Sequence, residues 1–483
     1  MTRSPRSSVA VLGAGIAGLA AAVALARNGH AVTLVERDAM DVGDALGSLD
    51  WERKGIPHFL QPHAFTPRGR KELRETLPDV FDDLMAAGAW DVDLRPKIRG
   101  GEPRPDDDEL VFLAVRRPLI EWALRRAAVA EPGIRILAGT KAIGLVATAR
   151  RMDAGPPRIR GVRTTDGAID ADLVIDAMGR RSPLADWIRA VGGRAAGQRS
   201  SDCSIIYYCR YYRVRDGQTL PDLPSIPGPR GDLGYAAFST FPGDNRTFCA
   251  LIAIPPGDVA LKAVRSTPAF EAAVRTMPAL NAWTNADTSE PIAGVMPMGS
   301  LRNTLQAPSA DGFAAIGLIG VGDAVCHTDP VASLGLAFAL SHARLLADAL
   351  RDHDDVVEAA NAFDAAARPE MEERYAYVSV IDETRTRLWA GESIDYTHAS
   401  GGAYPFFTYA ATGVAPLADG DVFRAVVRRN TFLDPLAILD EDPAMQARLE
   451  AFYADLAAAG RPRSGPSRDE LVEIITDAAA QGR

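Results

Sequence analysis

The chain has 483 residues, enough for two or three domains with a large core. Hydrophobic residues make up 47% and charged residues 24%, which is ordinary for a soluble globular protein. A net charge of -10 argues against nucleic acid or an anionic membrane as a partner. Beyond the N-terminal segment no apolar run is long enough to span a bilayer, so we expect no integral membrane association.

The four cysteines show no C-x-x-C spacing and no cluster of histidines around them: Cys203, Cys209, Cys249 and Cys326. Such a pattern is more typical of buried free thiols than of disulfides or zinc ligands. We therefore expect a protein of the reducing cytoplasm that has no metal site.

The segment from Val9 to Arg37 has the order strand, glycine turn, helix, strand, acid. Its glycines follow the first strand with G-x-G-x-x-G spacing: Gly13, Gly15 and Gly18. In a dinucleotide site they permit a tight turn, close approach of a pyrophosphate and close helix packing, in that order. Glu36 would accept hydrogen bonds from ribose hydroxyls, and its charge disfavours a 2′-phosphate. We therefore expect FAD or NAD as the ligand rather than NADP. Arg37 is also expected to bind the cofactor.

A secretory signal peptide is the competing interpretation of the same segment. Arg3 and Arg6 precede an apolar stretch that ends in an A-x-A pattern, as in bacterial leaders. A leader has no reason to space three glycines in this way or to continue into a second strand that ends in an acid. The pattern as a whole favours the nucleotide site.

Two later segments favour a flavin as the dinucleotide. In the first, an apolar strand precedes the turn from Asp176 to Ser182, and in the second a strand leads to Gly322 and Asp323. An acid at a strand end can bind a ribityl hydroxyl. The helix that begins near Gly335 and Leu336 would then direct its N-terminal amides at the pyrimidine side of an isoalloxazine. Each segment alone could equally be a strand end with a turn acid.

These three segments resemble the sequence signatures of FAD-dependent monooxygenases of the aromatic hydroxylase (PHBH-like) fold. The chain is most similar to the bacterial branch that contains epoxidases of polyether biosynthesis. Further matches to that branch occur at residues 53–57 (R-K-G-x-P), His63, residues 67–70, residues 84–89, residues 117–120 and residues 430–433. The resemblance is strong in the FAD segments and weak between about Val191 and Met296.

The resemblance implies an α/β fold, in which a Rossmann-type FAD-binding domain carries an inserted antiparallel-sheet substrate domain and a helical C-terminal region. The expected boundaries are 1–90, 112–190 and 297–355 for the FAD-binding domain, 91–111 and 191–296 for the substrate domain, and 356–483 for the helical region. It also implies epoxidation or hydroxylation of an apolar secondary metabolite with O2. A reduced flavin would capture O2 as a C4a-hydroperoxide in a water-excluding pocket.

The residues themselves give weaker evidence on the remaining site. Arg116 and Arg117 stand at the entrance of a helix that Pro118 opens, and at least one of them is expected to contact the flavin, with Arg117 favoured. Residues 203–255 have an antiparallel pattern with a hairpin turn at 242–245, and Tyr235 is a candidate lining residue. His63, His327 and Tyr235 are weak catalytic candidates, since a lone histidine is more often structural.

Other functions stay open at this point. A flavin reductase of the geranylgeranyl reductase type shares the fold and the D-A-x-G-R-x-S turn. A flavin halogenase would need an active-site lysine, for which Lys71 is a poor candidate, and a W-x-W-x-I-P motif, which the chain lacks. Nothing favours a non-enzymatic FAD-binding module.

The electron donor is also uncertain from sequence. NADPH or NADH could reduce the flavin directly or through a separate flavin reductase. The resemblance places Met178 where single-component hydroxylases have an aspartate linked to NADPH use, which favours a separate reductase. Arg180 and Arg181 could still attract a nicotinamide phosphate, or could be paired on the surface.

Overall fold

The computed structural model describes most of the chain: residues 6–51, 53–56, 58–100, 102–148, 155–195, 197–222, 227–306, 314–392, 419–436, 442–449, 451 and 464–481. Arg3 of the leader alternative, Pro57 of the R-K-G-x-P match and parts of the expected helical region lie outside these residues.

A five-stranded parallel sheet forms the centre of the nucleotide-binding part, with the strand order β18-β9-β1-β2-β5. Its strands are β1 (Ser8–Leu12), β2 (Ala31–Glu36), β5 (Ile134–Ala138), β9 (Leu173–Asp176) and β18 (Leu318–Gly320). Asp176, the last residue of β9, pairs in register with Leu12 on one side and with Gly320 on the other. Three turns that are far apart in sequence therefore leave the sheet at the same edge.

Alanine-rich α1 (Ile16–Arg27) packs between the sheet and two long helices, α4 (Arg117–Ala130) and α8 (Gly335–Asp352). Ten of its twelve residues are buried, and half of these are alanines that let the neighbouring helices approach closely. Helices α2 (Pro67–Thr76) and α3 (Pro78–Ala86) complete this layer. Burial on both faces explains the continuous apolar character of β1.

The second large sheet is antiparallel, with the order β12-β13-β14-β11-β15 and with β16 also paired to β11. Its strands are β11 (Ile206–Val214), β12 (Arg230–Asp232), β13 (Ala237–Pro242), β14 (Thr247–Ile254), β15 (Ser289–Pro291) and β16 (Met296–Met298). Helices α6 (Thr267–Thr276), α7 (Pro278–Thr284) and the C-terminal α11 (Arg468–Gln481) cover one face. The tyrosines of β11 alternate: Tyr208 and Tyr212 pack against these helices, and Tyr207 and Tyr211 face the other side.

Three smaller sheets accompany the two large ones. They are formed by β3 (Trp90–Asp93) with β4 (Val111–Ala114), by β6 (Ala142–Ala147), β7 (Ile159–Thr164) and β8 (Gly167–Asp170), and by β10 (Gln198–Asp202), β17 (Arg302–Gln306) and β19 (Cys326–His327). The remaining helices are α5 (Leu184–Ala190), α9 (Val356–Trp389) and α10 (Gly420–Asn430). The predicted fold class, a Rossmann-type unit with antiparallel sheets and C-terminal helices, is confirmed.

An ion pair of Arg116 with Asp244, which we call the clasp, joins the hairpin turn between β13 and β14 to the nucleotide-binding part. The Arg116 guanidinium donates to both carboxylate oxygens of Asp244, at 2.6 Å for the shortest contact, and its backbone N–H donates to the same carboxylate. Asp244 is fully buried. Burial alone would raise the pKa of Asp244, but the bonds from Arg116 hold it below its usual range. The side chain of Arg116 is thus engaged by Asp244, and its contact with the cofactor stays a prediction.

Removing this clasp should destabilise the protein. Arg116→Ala leaves the Asp244 carboxylate buried without its cation, so we expect the free energy of unfolding to fall by about 3 kcal/mol. Urea denaturation measures this. Arg95→Ala, which breaks surface ion pairs with Asp93 and Asp108, is the control and should change stability little. Equal effects of the two substitutions would contradict the clasp.

Candidate functional site

A cavity of about 570 Å³ opens at the carboxyl edge of the parallel sheet. The three sequence segments converge on it, since it is lined by Gly13, residues 15–17, 35–38 and 177–181, Val321, Asp323 and residues 333–336. Further lining residues come from 53–56, His58, residues 61–64, Arg117 and residues 140–142. The cavity is thus built mainly by turns at strand ends rather than by strands.

The N-terminus of α1 faces this cavity without a side-chain cap. Gly15 is the N-cap residue, and the first turn of the helix contains no acidic side chain. A Cβ on Gly15 would meet no atom closer than 3.9 Å, so it would project into open cavity space. A Cβ on Gly18 would instead lie 1.9 Å from the carbonyl oxygen of Gly13. Gly15 therefore leaves space for a ligand, and Gly18 permits close packing of the helix.

Glu36 is fixed at the cavity wall by three donors. Its carboxylate accepts hydrogen bonds from the backbone N–H of Ala14 at 2.7 Å, from Asp38 N–H at 2.9 Å and from Arg53 at 3.1 Å. Because a carboxylate has about four acceptor positions, capacity for a ligand hydroxyl remains. Arg37 also lines the cavity, and its guanidinium lies directly over Gly55.

Beneath these residues lies a buried group of three acids and three arginines. Arg53 donates to Glu36, Asp38 and the fully buried Glu121. Glu121 also accepts from Arg117 at 2.9 Å, and Arg125 lies 4.0 Å from it. With Glu36 and Asp38 the formal charges of this group sum to zero. Sequence reasoning missed Glu121, because its position on the buried face of α4 resembles ordinary helix packing.

Arg117 extends from the start of α4 toward two histidines. Its guanidinium lies 2.9 Å from Nε2 of His58 and 3.5 Å from Nε2 of His63. Burial, followed by the charge of Arg117, lowers the pKa of His58 to about 2 and that of His63 to about 3. Both imidazoles are therefore neutral acceptors, which is consistent with Nδ1 of His63 donating to the carbonyl of Gln61. Of this group, sequence reasoning did not identify His58.

Asp323 and His327 form a second pair at the cavity. The Nδ1 atom of His327 lies 3.2 Å from Asp323 Oδ2, and both residues line the cavity. Burial alone would raise the pKa of Asp323, but its interaction with His327 and the more distant charge of Arg117 hold it far below its usual range. Asp323 is thus a carboxylate, and its second oxygen lies near Gly335.

Helix α8 begins beside Asp323 and presents a second uncapped N-terminus. Leu334 is its N-cap residue, no side chain caps it, and its first turn contains no acid. Gly335 and Leu336 line the cavity. Ser333, which also lines it, has a left-handed backbone with φ of 55°, a conformation that is costly for a residue other than glycine. The turn before α8 is therefore held in a specific shape.

Two further predicted residues lie away from the cavity. The backbone N–H of Gly322 donates to His342, and a Cβ there would come within 2.9 Å of Ala17, so this glycine permits close contact with α1. Tyr235 donates its hydroxyl to the carbonyl of Pro466, on the side of the sheet that faces α11. Neither residue lines the cavity, and the predictions that Gly322 binds the cofactor and that Tyr235 lines the substrate pocket stay predictions.

The antiparallel sheet contributes little to the wall of this cavity. Within the described chain, no residue between Pro183 and Met298 lines it, although residues 203–255 were expected to do so. Met298 and Leu301 provide the apolar wall instead. Phe241 and Pro242 of β13 line a small apolar pocket that shares His63 and Ala64 with the main cavity. The sheet therefore contacts the cavity wall on the side of His63 that faces away from the cavity.

The turn after β9 is stabilised by its own acid. Asp176 accepts from the N–H of Met178 at 2.9 Å and from the Ser182 hydroxyl at 2.6 Å. Burial raises the pKa of Asp176 to about 6 in spite of these bonds. The turn directs Arg180 and Arg181 to the cavity, and within the described residues neither forms an ion pair. Their pairing on the surface, left open by the sequence, is not observed there.

Comparison with known proteins agrees with this architecture. A family model for an NAD(P)-binding Rossmann-like domain matches residues 11–80. Protein Rv3254 of Mycobacterium tuberculosis is 28% identical over 232 residues, which cover 44% of this chain and 46% of that protein. The match therefore spans less than half the length of this curated relative.

Solved structures are similar over most of the chain. PqsL of Pseudomonas aeruginosa, described as a probable FAD-dependent monooxygenase, is 17% identical with a TM-score of 0.56 and covers 80% of this chain and 98% of its own. The flavin-dependent brominase Bmp2 is 18% identical with a TM-score of 0.58, at 93% and 99% coverage. A 2-methyl-3-hydroxypyridine-5-carboxylic acid oxygenase is 17% identical with a TM-score of 0.55, at 88% and 98% coverage. These likenesses establish the fold.

Two predicted absences can be compared with the described residues. No described helix has both the length and the apolar character needed to cross a bilayer. The four cysteines are buried and unpaired.

The neutral state of His63 should make stability depend on pH. The unfolded histidine takes up a proton near pH 6.5, whereas the folded one stays neutral to about pH 3, so stability falls as pH decreases through this window. His63→Gln keeps a donor for the Gln61 carbonyl and an acceptor for Arg117. It should reduce the slope by about 1.4 kcal/mol per pH unit. Urea denaturation between pH 7 and pH 5 checks this, and an unchanged slope would contradict it.

Proposed function

We propose that this protein is an FAD-dependent monooxygenase that epoxidises or hydroxylates an apolar small molecule. One observation carries the proposal: two uncapped helix N-termini, those of α1 and α8, face one cavity between the acids Glu36 and Asp323. This spacing of amides and carboxylates suits a ligand that has a phosphate group at one point and hydroxyls on either side of it.

The residues present fit FAD. The amides after Gly15 would bind the pyrophosphate, Glu36 the adenosine ribose, Asp323 a ribityl hydroxyl, and the amides at Gly335 and Leu336 the pyrimidine edge of the flavin. Bound there, a reduced flavin supplies the activation of O2. The protein's part is to position the partners and to exclude water. Neutral His58 and His63 help to exclude water, because they accept hydrogen bonds from Arg117 and add no charge to the cavity wall.

The substrate would occupy the part of the cavity near Met298, Leu301 and His63. Two of these side chains are apolar, and His63 is an uncharged imidazole held on its Nδ1 side by a backbone carbonyl. The small pocket behind His63 adds Phe241 and Pro242. Such a wall favours an apolar substrate, which agrees with the likeness to epoxidases, and offers the substrate no nucleophile.

The alternative functions receive less support. Lys71 lies on α2, and its ammonium is ion-paired with Glu109. It does not line the cavity, so it does not provide the lysine that a halogenase needs. The likeness to a brominase is at 18% identity and carries the fold alone. A reductase of the geranylgeranyl reductase type would use the same cofactor cavity, so the reaction must separate it from a monooxygenase.

Labelled oxygen decides between these reactions. The purified protein, loaded with FAD and supplied with a reductant, is incubated under ¹⁸O2 with apolar alkenes and aromatics of natural-product size. A monooxygenase incorporates one labelled atom per product molecule. A product that has gained two hydrogens and no label would establish the reductase instead and would overturn the proposal.

FAD binding should depend on Gly15 and Asp323. Gly15→Ala fits the protein without a clash but places a methyl group in the space where the pyrophosphate would approach. We expect it to weaken FAD binding, and Asp323→Ala to cost roughly 1 kcal/mol or more of binding free energy, the scale of a lost hydrogen bond to a charged group. Quenching of flavin fluorescence measures both.

Gly257→Ala is the matched control for the glycine substitution, since a Cβ there meets no atom within 4 Å and the residue does not line the cavity. Tyr235→Phe serves as a second control. If Gly15→Ala and Asp323→Ala retain FAD as tightly as the parent protein does, the cofactor assignment fails.

We infer that electrons reach the flavin chiefly through a separate flavin reductase that uses NADH or NADPH. The uncharged Met178 at the middle turn supports this inference, and no second glycine motif of the G-x-G-x-x-G type occurs in the chain. Arg180 and Arg181 provide a direct route for comparison, since both line the cavity and are unpaired within the described part of the chain.

Anaerobic stopped-flow separates the two routes. With NADH or NADPH alone we expect bleaching of the flavin slower than about 1 per second, the low end of typical turnover, and strong stimulation by an added flavin reductase. Bleaching at turnover rates without a partner would contradict the inference. In that case Arg180→Ala should slow the NADPH reaction and spare reduction by dithionite.

A further inference from the structure

Behind the cavity lies a sealed polar cluster that the proposed reaction does not use. Asp382 and Arg385 project from α9, and each has at most 2% of its side chain exposed. Arg385 lies 2.9 Å from Asp382 and 3.2 Å from Asp329, which is fully buried. One cation thus faces two acids in a space that excludes solvent.

Asp329 connects this cluster to the cavity wall, which it helps to line. Its carboxylate accepts hydrogen bonds from the Tyr207 hydroxyl at 2.5 Å and from the N–H of Val331 at 3.1 Å. The second bond caps the short helical turn Pro330–Ala332, which leads through Ser333 into α8. The position of the α8 N-terminus therefore depends on Asp329.

Asn303 links the two acids from the other side. Its amide nitrogen donates to Asp382 at 2.8 Å, and its amide oxygen accepts from the backbone N–H of Asp329 at 2.6 Å. The thiol of Cys203 donates to the same oxygen. The charged or titratable groups around Asp382 are Asp329 on the turn, Arg385 on its own helix, Cys203 before β11 and, through Asp329, Tyr207 on β11.

A metal ion is a poor occupant of this cluster. The ligand atoms of Cys203, Asp329 and Asp382 lie within 4.8 Å of one another, which would suit a cation. However, the guanidinium of Arg385 already lies against both carboxyl groups. Burial raises the pKa of Cys203, so its thiol stays protonated and is a weak ligand.

The formal charges of Asp329, Asp382 and Arg385 indicate that one of the two acids carries a proton. Two carboxylates and one guanidinium would give a net charge of -1 in a solvent-free space, which is costly. A proton on one acid brings the net charge to zero and supplies a donor between the two carboxyl groups. Asp382 is the acid that holds it, because burial and next the charge of Asp329 raise the pKa of Asp382 to about 9.

We propose that Asp382 and Arg385 are positioning residues for the cavity: Asp382 as a neutral acid and Arg385 as a cation together hold Asp329, which in turn fixes the turn before α8. The consequence for the cofactor rests on the proposed function, because the amides of α8 would contact the flavin. The arrangement of protons and charges does not rest on it and can be measured on the protein without FAD.

Asp382→Asn tests the neutral acid directly, since asparagine reproduces its shape and its donor. The unfolded Asp382 loses its proton near pH 4, whereas the folded one retains it to about pH 9, so the native protein loses stability relative to the variant as pH rises through this window. We expect the variant to have the higher Tm at pH 7, with a difference that increases from pH 5 to pH 9.

Asp364→Asn on the same helix is the control, because Asp364 is paired with Arg368 at the surface, and it should show no such increase. A Tm difference that does not increase from pH 5 to pH 9 would overturn the proposal, because the folded Asp382 would then be ionised as the unfolded one is.

The link to the cavity is tested with FAD. Tyr207→Phe removes only the hydroxyl donor to Asp329, and we expect it to weaken FAD binding several-fold and to shift the flavin midpoint potential. Asp382→Asn should leave both unchanged at pH 7 and should abolish the change in potential that we expect of the parent protein above pH 9. If Tyr207→Phe alters neither affinity nor potential, Asp329 does not position the cavity wall.

Discussion

Three turns meet at one cavity because the parallel register of β1, β9 and β18 fixes where each strand ends. Leu12, Asp176 and Gly320 lie side by side in this register. The glycine turn, the turn capped by Asp176 and the turn that contains Asp323 are therefore neighbours, although more than 300 residues of sequence separate the first from the last. The uncapped starts of α1 and α8 face the same space as a result, and the proposed binding of FAD depends on this placement.

Charge is balanced in two separate places around that space. The group formed by Glu36, Asp38, Glu121 and three arginines is neutral without any bound proton. The cluster of Asp329, Asp382 and Arg385 becomes neutral only if it holds one proton. Between them, His58 and His63 stay uncharged. The helix amides and carboxylate oxygens at the cavity are therefore available to a ligand that carries charge and hydroxyls.

Sequence reasoning located the cofactor segments because their signal is local. The spacing of Gly13, Gly15 and Gly18 and the acid at Glu36 lie within one strand–helix–strand unit. It could not locate contacts between distant segments, such as Arg53 with Glu121 or Asp329 with Arg385. It favoured Arg117 over Arg116 but could not predict the partner of Arg116, since only the fold brings Asp244 to that side chain. Tyr235 lies in the turn between β12 and β13, and its hydroxyl bond to the carbonyl of Pro466 is a contact between distant segments that composition does not predict.

A crystal structure of the FAD complex would show most directly where FAD lies. We expect pyrophosphate oxygens within hydrogen-bond distance of the amides that follow Gly15, a ribityl hydroxyl on Asp323 and the pyrimidine edge of the flavin at Gly335. The side chains of Asp329 and Arg385 should keep their positions. Density for FAD outside this cavity, or with its phosphates away from α1, would contradict the account.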